Sequence, residues 1–368
     1  MNDCDYMRLA LTLAERGMGW VSPNPLVGAV LVKEGRILGQ GWHARCGGLH
    51  AERAALADCR EDPAGATLYV TLEPCCHTGR QPPCTDAILA AGIRRVVVGS
   101  LDPNPLVAGK GVEILRSHGV EVETGVLQAE CDALNPVFFH YIRTKRPYVV
   151  MKYAMTLDGK IATRTGASQW ITGEAARQRV HQDRHRYRGI LAGVGTVLAD
   201  DPLLTCRMEN GRNPVRVICD TRLRTPLDSR IVRTANEVET ILATCETDGE
   251  RIAPYTAAGC QVWQLPAREG HVDLSALMDR LGAAEIDGVL LEGGGTLNWS
   301  MLEAGLVQRV QAYIAPKLFG GVGAKSPVEG TGVELPAQAA RLRNPTVTRL
   351  GEDFLLEGEV DADVYGDR

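Results

Sequence analysis

Short runs of aliphatic, largely β-branched residues recur along the whole chain, and stretches with helical spacing lie between many of them. Thr67–Leu72 (TLYVTL), Arg95–Gly99 (RVVVG) and Gly288–Leu291 (GVLL) are too short for helices and too continuously apolar for strands with a wet face. Such runs are buried in sheets covered on both sides, which constrains the chain to an α/β architecture, a mixed sheet between helix layers. The opening residues to Arg16 read as an amphipathic helix, and Val27–Lys33 with Arg36–Trp42 as a hairpin about Glu34-Gly35. Ala51–Cys59, Thr85–Ala91 and Val112–His118 read as helices, the last two stopped by Gly92 and Gly119.

At Arg143-Thr-Lys-Arg-Pro147 a charged, proline-bearing stretch interrupts the alternation, which then restarts. Tyr148–Met155, Gly189–Ala192, Val215–Cys219, Thr240–Ala243, Val262–Leu265 and Gly288–Leu291 are the strands expected next, with Val307–Ile314 and Phe354–Val360 closing the sheet. Two domains, residues 1–145 and 146–368, are the expectation for a chain of 368 residues.

A formal net charge of −5 argues against a protein that coats nucleic acid. No apolar run reaches the ~18 residues of a membrane span, and the acidic start lacks a signal peptide's layout. Eleven cysteines are too sparse here for a disulfide scaffold, so the expected compartment is the reducing cytoplasm. The informative cysteines are then those that cluster with histidine and glutamate.

Three pieces of the first domain do so: His50-Ala-Glu52, Glu73-Pro-Cys75-Cys76-His77 and Pro82-Pro-Cys84. A catalytic zinc takes three protein ligands and keeps one position open for water, and His50, Cys75 and Cys84 supply that number. Glu52 can stay off the metal and shuttle protons, which matches the H-x-E…P-C pattern of zinc deaminases. In that pattern about two residues part the cysteines. Here eight do (CHTGRQPP), enough for a loop over the site. Cys76 and His77 are rival ligands, and Cys76 is set aside because neighbouring side chains diverge on extended backbone. Each piece alone has a structural reading; their joint order, with proline ahead of both cysteines, favours the metal.

In the second domain Glu292-Gly-Gly-Gly295 follows a buried strand and opens a helix, a turn where backbone N–H groups can meet phosphate. It departs from G-x-G-x-x-G, so no Rossmann domain is inferred. Asp220-Thr-Arg222 ends another strand. An acid there suits the ribose 2′-hydroxyl of NADH, whereas Thr221 with Arg222 or Arg224 suits the 2′-phosphate of NADPH. Spacing puts Arg177, Arg184 and Arg188 on one helix face with His181 between them, as a solvated surface or a phosphate clamp. Lys152, on an apolar strand, is expected to point into the site, either as the best candidate acid, since burial can bring a lysine near neutral pKa, or equally as a plain phosphate or hydroxyl contact.

HAE, TLEPCCHTGRQPPC, Pro23-Asn-Pro25-Leu-Val-Gly and LDPNPLVAGKG resemble the riboflavin-biosynthesis deaminases. MKYAMTLDGKIAT, SQWIT, GVGTVLADDPLLTCR and LLEGGGTLNWSML resemble the reductases of that pathway. In this order they are similar to the bifunctional deaminase–reductase family over nearly the whole chain. Cys76 and Gln81 stand where that family usually has serine and threonine.

The resemblance implies a cytidine-deaminase-like α/β/α domain followed by a dihydrofolate-reductase-like α/β domain. It implies hydrolytic deamination of a diaminopyrimidine ribose phosphate and then reduction of the ribosyl group to ribityl, with one zinc per chain and NADPH as cofactors. On this basis His50, Cys75 and Cys84 bind zinc, Glu52 shuttles protons, and Asn24, His43 and Arg80 meet the deaminase substrate. Lys152, Ser168, Arg184, Leu204, Arg207 and Glu292 fall at the reductase substrate. Ala154, Trp170, Thr196, Asp200, Thr221, Gly294, Gly295, Thr296, Leu297, Asn298, Trp299 and Ser300 fall near NADPH. The expected partner is a small phosphorylated pyrimidine, handled by a cytoplasmic homo-oligomer without nucleic acid or membrane. Two other classes compete. The acidic balance opposes a nucleic-acid-editing deaminase, and the intact zinc set opposes a catalytically silent assembly protein.

Overall fold

Alternate side chains of a strand leave opposite faces, and in the first half of the chain both faces find a helix layer. The computed structural model describes residues 1–78 and 81–361, which divide into a unit from Met1 to Lys145 and one from Arg146 onward. Strand β3 (Thr67–Leu72) shows the layering. Leu68 and Val70 pack with α2 (Ala51–Asp58), α3 (Cys84–Ala90) and α4 (Lys110–Ser117). Tyr69, between them, packs with Met7, Ala10 and Leu13 of α1 (Asp3–Ala14) on the other face. The sheet order is β2 (Arg36–Trp42), β1 (Gly28–Lys33), β3, β4 (Arg95–Ser100), β5 (Glu121–Thr124). β1 is antiparallel to both neighbours, and β3, β4 and β5 are parallel. Helices α5 (Gln128–Leu134) and α6 (Pro136–Thr144) complete the unit.

Two glycines of β2 set how closely α2 lies on the sheet. A Cβ on Gly39 would come within 2.2 Å of the Ala55 carbonyl oxygen, and one on Gly41 within 2.3 Å of the Ala55 nitrogen. The helix backbone therefore rests on the strand itself, which fixes where His50 and Glu52, at its start, must stand.

The second unit has nine strands in the order β10 (Gln261–Gln264), β9 (Thr240–Thr244), β8 (Val215–Cys219), β7 (Gly189–Gly193), β13 (Gly288–Leu291), β6 (Tyr148–Thr156), β14 (Arg309–Ala315), β16 (Asp353–Val360), β15 (Leu342–Leu350). Neighbours are parallel from β10 through β14, then β16 and β15 run antiparallel. Helices α11 (Leu274–Ala283) and α12 (Gly295–Glu303) cover one face. On the other lie α7 (Glu174–Arg186), α8 (Val194–Asp200), α9 (Arg230–Arg233) and α10 (Gly249–Ala257). A small hairpin, β11 (Ala267–Arg268) with β12 (His271–Val272), stands apart from the sheet. Arg216 of β8 is fully buried without a carboxylate. Its guanidinium donates instead to the carbonyls of Leu203, Ile231, Thr234 and Val238 and the hydroxyls of Thr234 and Thr240.

Several details depart from the sequence expectation. β5, α5 and α6 were not anticipated; β5 buries a single side chain, so it carries no apolar alternation. Phe354–Val360 does not close the sheet, because β15 lies outside it; that strand is exposed along most of its length and contains Pro345. Arg143 and Thr144 end α6 rather than forming a linker. Arg188 lies beyond the last residue of α7 and faces Glu239, so the three arginines do not share a helix face.

Arg95 joins α1 to β4. It holds Asp3 Oδ2 at 2.8 Å and also pairs with Glu123, while the Tyr69 hydroxyl donates to Asp3 Oδ1 at 2.6 Å. The Arg95 hydrogen bond holds the Asp3 carboxyl below its usual value despite partial burial. A lowered folded value gives stability that is present above the unfolded pKa of about 3.9 and is lost as pH falls through the folded one. Asp3→Asn should therefore lower the unfolding free energy measured in urea at neutral pH by up to about 1 kcal/mol, because solvent screens the pair. The gap to wild type should close in strong acid. A gap that persists there would assign the effect to lost packing instead of charge.

Candidate active sites

Two helix starts and the loop after β3 converge on one point of the first unit. His50 is the N-cap of α2, Cys84 is the first residue of α3, and Cys75 follows β3. His50 Nδ1 lies 3.4 Å from the Sγ of Cys75 and 3.4 Å from that of Cys84, and the three donor atoms lie within 4.8 Å of one another. With zinc bonds of about 2.3 Å to sulfur and about 2.0 Å to nitrogen, a tetrahedral N–S edge is about 3.6 Å, so the donor set suits zinc by distance as well as by chemistry. The Cys84 N–H donates to the Cys75 carbonyl at 3.0 Å and approaches Cys75 Sγ at 3.4 Å. Hydrogen bonding from Cys84 draws the Cys75 thiol down to about 4 against the effect of burial, while the Cys84 thiol is pushed up by the same contact and by burial. A second thiolate beside the first needs a cation, which is the demand a divalent metal meets.

Glu52, in the first turn of α2, is 3% exposed. Burial, and after it the Cys75 charge, pushes its carboxyl up to about 7. Cys76 turns away from the donors, its Sγ lying 3.8 Å from the Leu106 carbonyl. His43 Nδ1 lies 2.9 Å from the Leu49 carbonyl, so the ring carries its proton there and Nε2 accepts from the Asn24 amide at 3.1 Å. Burial keeps the His43 ring neutral by lowering its pKa. At 3% exposure His43 stands behind Asn24, whose Oδ1 remains as an acceptor for a ligand. Arg80 lies outside the described residues.

Two residues of this site were missed in the sequence. Glu73 is 3% exposed, and its carboxylate accepts from the N–H groups of Gly109 at 2.9 Å and of Asp102 and Val112 at 3.3 Å. It thereby ties the Cys75 loop to the LDPNP segment. An acid directly after a wholly apolar strand was its only signal. Asn135 closes on the Leu26 backbone with two bonds of 2.8 Å and pins the Pro23–Leu26 segment; nothing in the sequence marks it.

In the second unit β7, β8 and β13 end at a cavity of about 1340 Å³. Crevices at the carboxyl ends of parallel strands are where such folds bind ligands. The volume exceeds the ~300–1000 Å³ of an ordinary small-molecule pocket and suits a dinucleotide. Ser168, Thr196, Asp200, Thr221, Gly294, Gly295, Thr296, Leu297 and Ser300 all line it, with Arg222 and Arg224. Gly294 is the N-cap of α12, and the nearest atom to a Cβ there would be Thr196 Oγ1 at 3.9 Å, so the helix start is open. Asp220 is buried, its Oδ2 taken by the N–H and hydroxyl of Thr225 at 2.7 and 2.8 Å. The acid is thereby turned away, and Thr221 stands at the cavity with the two arginines.

Other expected contacts are not at this cavity. Asn298 is fully buried and donates to the Pro327 carbonyl at 2.8 Å. Trp299 packs on Gly330, where a Cβ would meet its ring at 2.2 Å. The turn of α12 aims both at the 327–330 segment. Ala154 packs with Tyr313 beneath α7, and Trp170 lies exposed with the Arg177 guanidinium 4.7 Å from its ring centre. The Leu204 side chain is in the core, which leaves only its backbone to offer.

Lys152, Arg184 and Glu292 do come together. Arg184 grips Glu292 through Nε at 2.7 Å and Nη2 at 3.0 Å, and Lys152 Nζ lies 3.3 Å from Glu292 Oε2. Arg184 Nη1 donates to the Thr205 carbonyl at 3.0 Å. Burial alone would raise the Glu292 carboxyl, but Arg184 and Lys152 hold it far below the usual range. Arg207 is exposed in the segment that follows.

A histidine and two cysteines at zinc spacing, with a buried carboxyl beside them, fit a zinc-dependent deaminase, and the crevice farther along the chain fits an enzyme that takes a dinucleotide. Residues 1–100 match the cytidine and deoxycytidylate deaminase zinc-binding region, and residues 147–356 match the RibD C-terminal domain. Riboflavin biosynthesis protein RibD of Actinobacillus pleuropneumoniae is 56% identical over 357 residues, 97% of this chain and 95% of that one. The structure of Acinetobacter baumannii RibD is 37% identical, with a TM-score of 0.88 over 98% of this chain and 99% of that one. A Thermotoga maritima diaminohydroxyphosphoribosylaminopyrimidine deaminase/5-amino-6-(5-phosphoribosylamino)uracil reductase is 39% identical, with a TM-score of 0.85 and the same coverage, 98% and 99%. The chain belongs to the RibD family of riboflavin-biosynthesis proteins, bifunctional enzymes with a deaminase and a reductase. No helix among the described residues is long and apolar enough to cross a membrane.

Glu292→Ala should leave Arg184 and Lys152 buried without a counter-charge, at a cost of about 3–5 kcal/mol, and Glu292→Gln, which keeps an acceptor, should cost less. Urea unfolding of the intact chain measures both. A loss below about 1 kcal/mol in the alanine variant would mean the cluster is solvated.

Proposed function

We propose that residues 1–145 catalyse hydrolytic deamination of 2,5-diamino-6-ribosylamino-4(3H)-pyrimidinone 5′-phosphate. Residues 146–368 then reduce the ribosyl group of 5-amino-6-(5-phosphoribosylamino)uracil to ribityl with NADPH. One observation carries this reading: the His50, Cys75 and Cys84 donor set beside buried Glu52, in a chain that also holds a dinucleotide-sized crevice.

His50, Cys75 and Cys84 hold one zinc ion per chain, which supplies the Lewis acidity that makes water a nucleophile near neutral pH. Glu52, buried beside the donor set, takes the proton of the attacking water and delivers it to the departing ammonia. Asn24, steadied by His43, orients the pyrimidine through its amide oxygen, and Arg80 meets the ribose phosphate.

In the reductase unit NADPH supplies the hydride that ribose C1′ accepts once the ribosylamino group has opened to an imine. Thr196, Asp200, Thr221 and the open start of α12 at Gly294 hold the cofactor. Ser168 and Lys152 face the substrate, with Lys152 the proton donor. Arg184 is committed to Glu292 and Thr205, so Arg207 is the arginine that takes the substrate phosphate. The enzyme works in the cytoplasm on small molecules as a homo-oligomer.

Metal analysis should find one zinc per chain, lost in Cys75→Ser and Cys84→Ser and kept in Cys76→Ser. Glu52→Gln should retain zinc and reductase activity while deamination falls at least about a hundredfold. Normal deamination by that variant would end its role as shuttle.

Wild type should prefer NADPH to NADH. Thr221→Ala, and whichever of Arg222→Ala and Arg224→Ala removes the phosphate contact, should lose about ten- to a hundredfold in kcat/KM for NADPH with little change for NADH. Equal use of the two cofactors by wild type would refute the assignment.

A further inference from the structure

His181 has no role in the reactions above, yet its surroundings are those of a binding group. It lies on α7 one turn before Arg184 and is half-buried. Its Nδ1 accepts from the Arg207 backbone N–H at 3.3 Å, and its carbonyl accepts from Cys206 Sγ at 3.4 Å. With the Arg184 bond to Thr205, these contacts staple residues 205–207 to the end of α7. A backbone N–H can only donate, so the neutral ring carries its hydrogen on Nε2. Among the described residues, Nε2 makes no hydrogen bond to the protein.

The charged groups facing His181 are Arg184 on its own helix, Arg207 in the stapled segment, Lys152 on β6 and Glu292 after β13. Arg184 and Lys152 share the single carboxylate of Glu292, which leaves positive charge beside the ring for an anion. Since Arg184 is engaged, the Arg207 guanidinium and the His181 Nε2–H are the donors left for that anion. Burial first, and then the two arginines, hold the imidazole down to about 4, so the ring is a neutral donor at physiological pH.

We propose that His181 is a further substrate-binding residue of the reductase unit, donating from Nε2 to the phosphate ester that Arg207 takes. This rests on reading Arg207 as the phosphate-binding arginine.

The test uses the full chain with ¹³C-labelled histidine, ribose 5-phosphate as probe and ribose as the unphosphorylated control. The signal missing from His181→Asn assigns the ring. At neutral pH, saturating ribose 5-phosphate should shift the His181 ring signal while the ring stays neutral, and ribose should not. In reductase assays His181→Asn, which keeps an acceptor near Nδ1 but lacks the Nε2–H, should raise KM for the deaminated substrate about tenfold with kcat little changed. His181→Gln, which restores a donor near Nε2, should recover most of that loss.

An unmoved ring signal, with KM unchanged in His181→Asn but raised in Arg207→Ala, would overturn the role of His181 and leave the phosphate reading standing. An unmoved ring signal with KM raised alike in His181→Asn and His181→Gln would reduce the residue to a staple and overturn the contact. If Arg207→Ala leaves KM unchanged, the phosphate reading itself falls and this inference falls with it.

Discussion

A parallel strand stops with its last backbone groups unpaired, and that constraint places both sites. Loops leaving the carboxyl ends must find partners outside the ladder, and helices that begin there expose N–H groups of their own. After β3 the chain runs straight into Glu73 and Cys75, and α3 begins at Cys84. After β7, β8 and β13 it runs into Val194, Asp220-Thr221 and Glu292 to Gly295. His50, Cys84 and Gly294 are all at helix starts, where the helix dipole favours a thiolate or a phosphate.

Buried acids decide what these ends can do, because a carboxylate away from water must be satisfied by something fixed. Glu292 is satisfied by two cations and stays charged, an anchor for Arg184 and Lys152. Glu73 is satisfied by three N–H groups and holds two loops together. Asp220 gives only Oδ2 to Thr225, and its Oδ1 is buried without a partner among the described residues. Glu52 lies beside the His50, Cys75 and Cys84 donor set, where burial, more than any neighbour, pushes its carboxyl up to about 7.

Periodicity made the buried strands legible, since β3, β8 and β13 alternate with nothing that could be mistaken for a helix of ordinary length. The zinc set was legible because metal chemistry restricts the residue types and prolines mark the loops. What escaped depended on rotation and on distant partners. Asn298 and Trp299 belong to the same motif as Gly294, but a helix turns about 100° per residue, so adjacency in sequence does not mean a shared face. Asn135 and Asp220 are defined by partners that only the fold supplies. The choice between NADH and NADPH was undecided at Asp220-Thr-Arg222 because it hinged on where the Asp220 side chain goes, and its turn toward Thr225 is visible only in the fold.

The eight residues between Cys75 and Cys84 can be weighed in the same terms. Lengthening a loop from about two residues to about eight adds roughly 1 kcal/mol of closure entropy. The bonds from the Cys84 and Thr85 N–H groups to the Cys75 carbonyl, at 3.0 and 3.2 Å, offset a cost of that size. The longer loop is therefore nearly neutral for the metal site and free to vary for other reasons. Cys76 and Gln81 reach backbone carbonyls of Leu106 and Gly47, not the donor atoms.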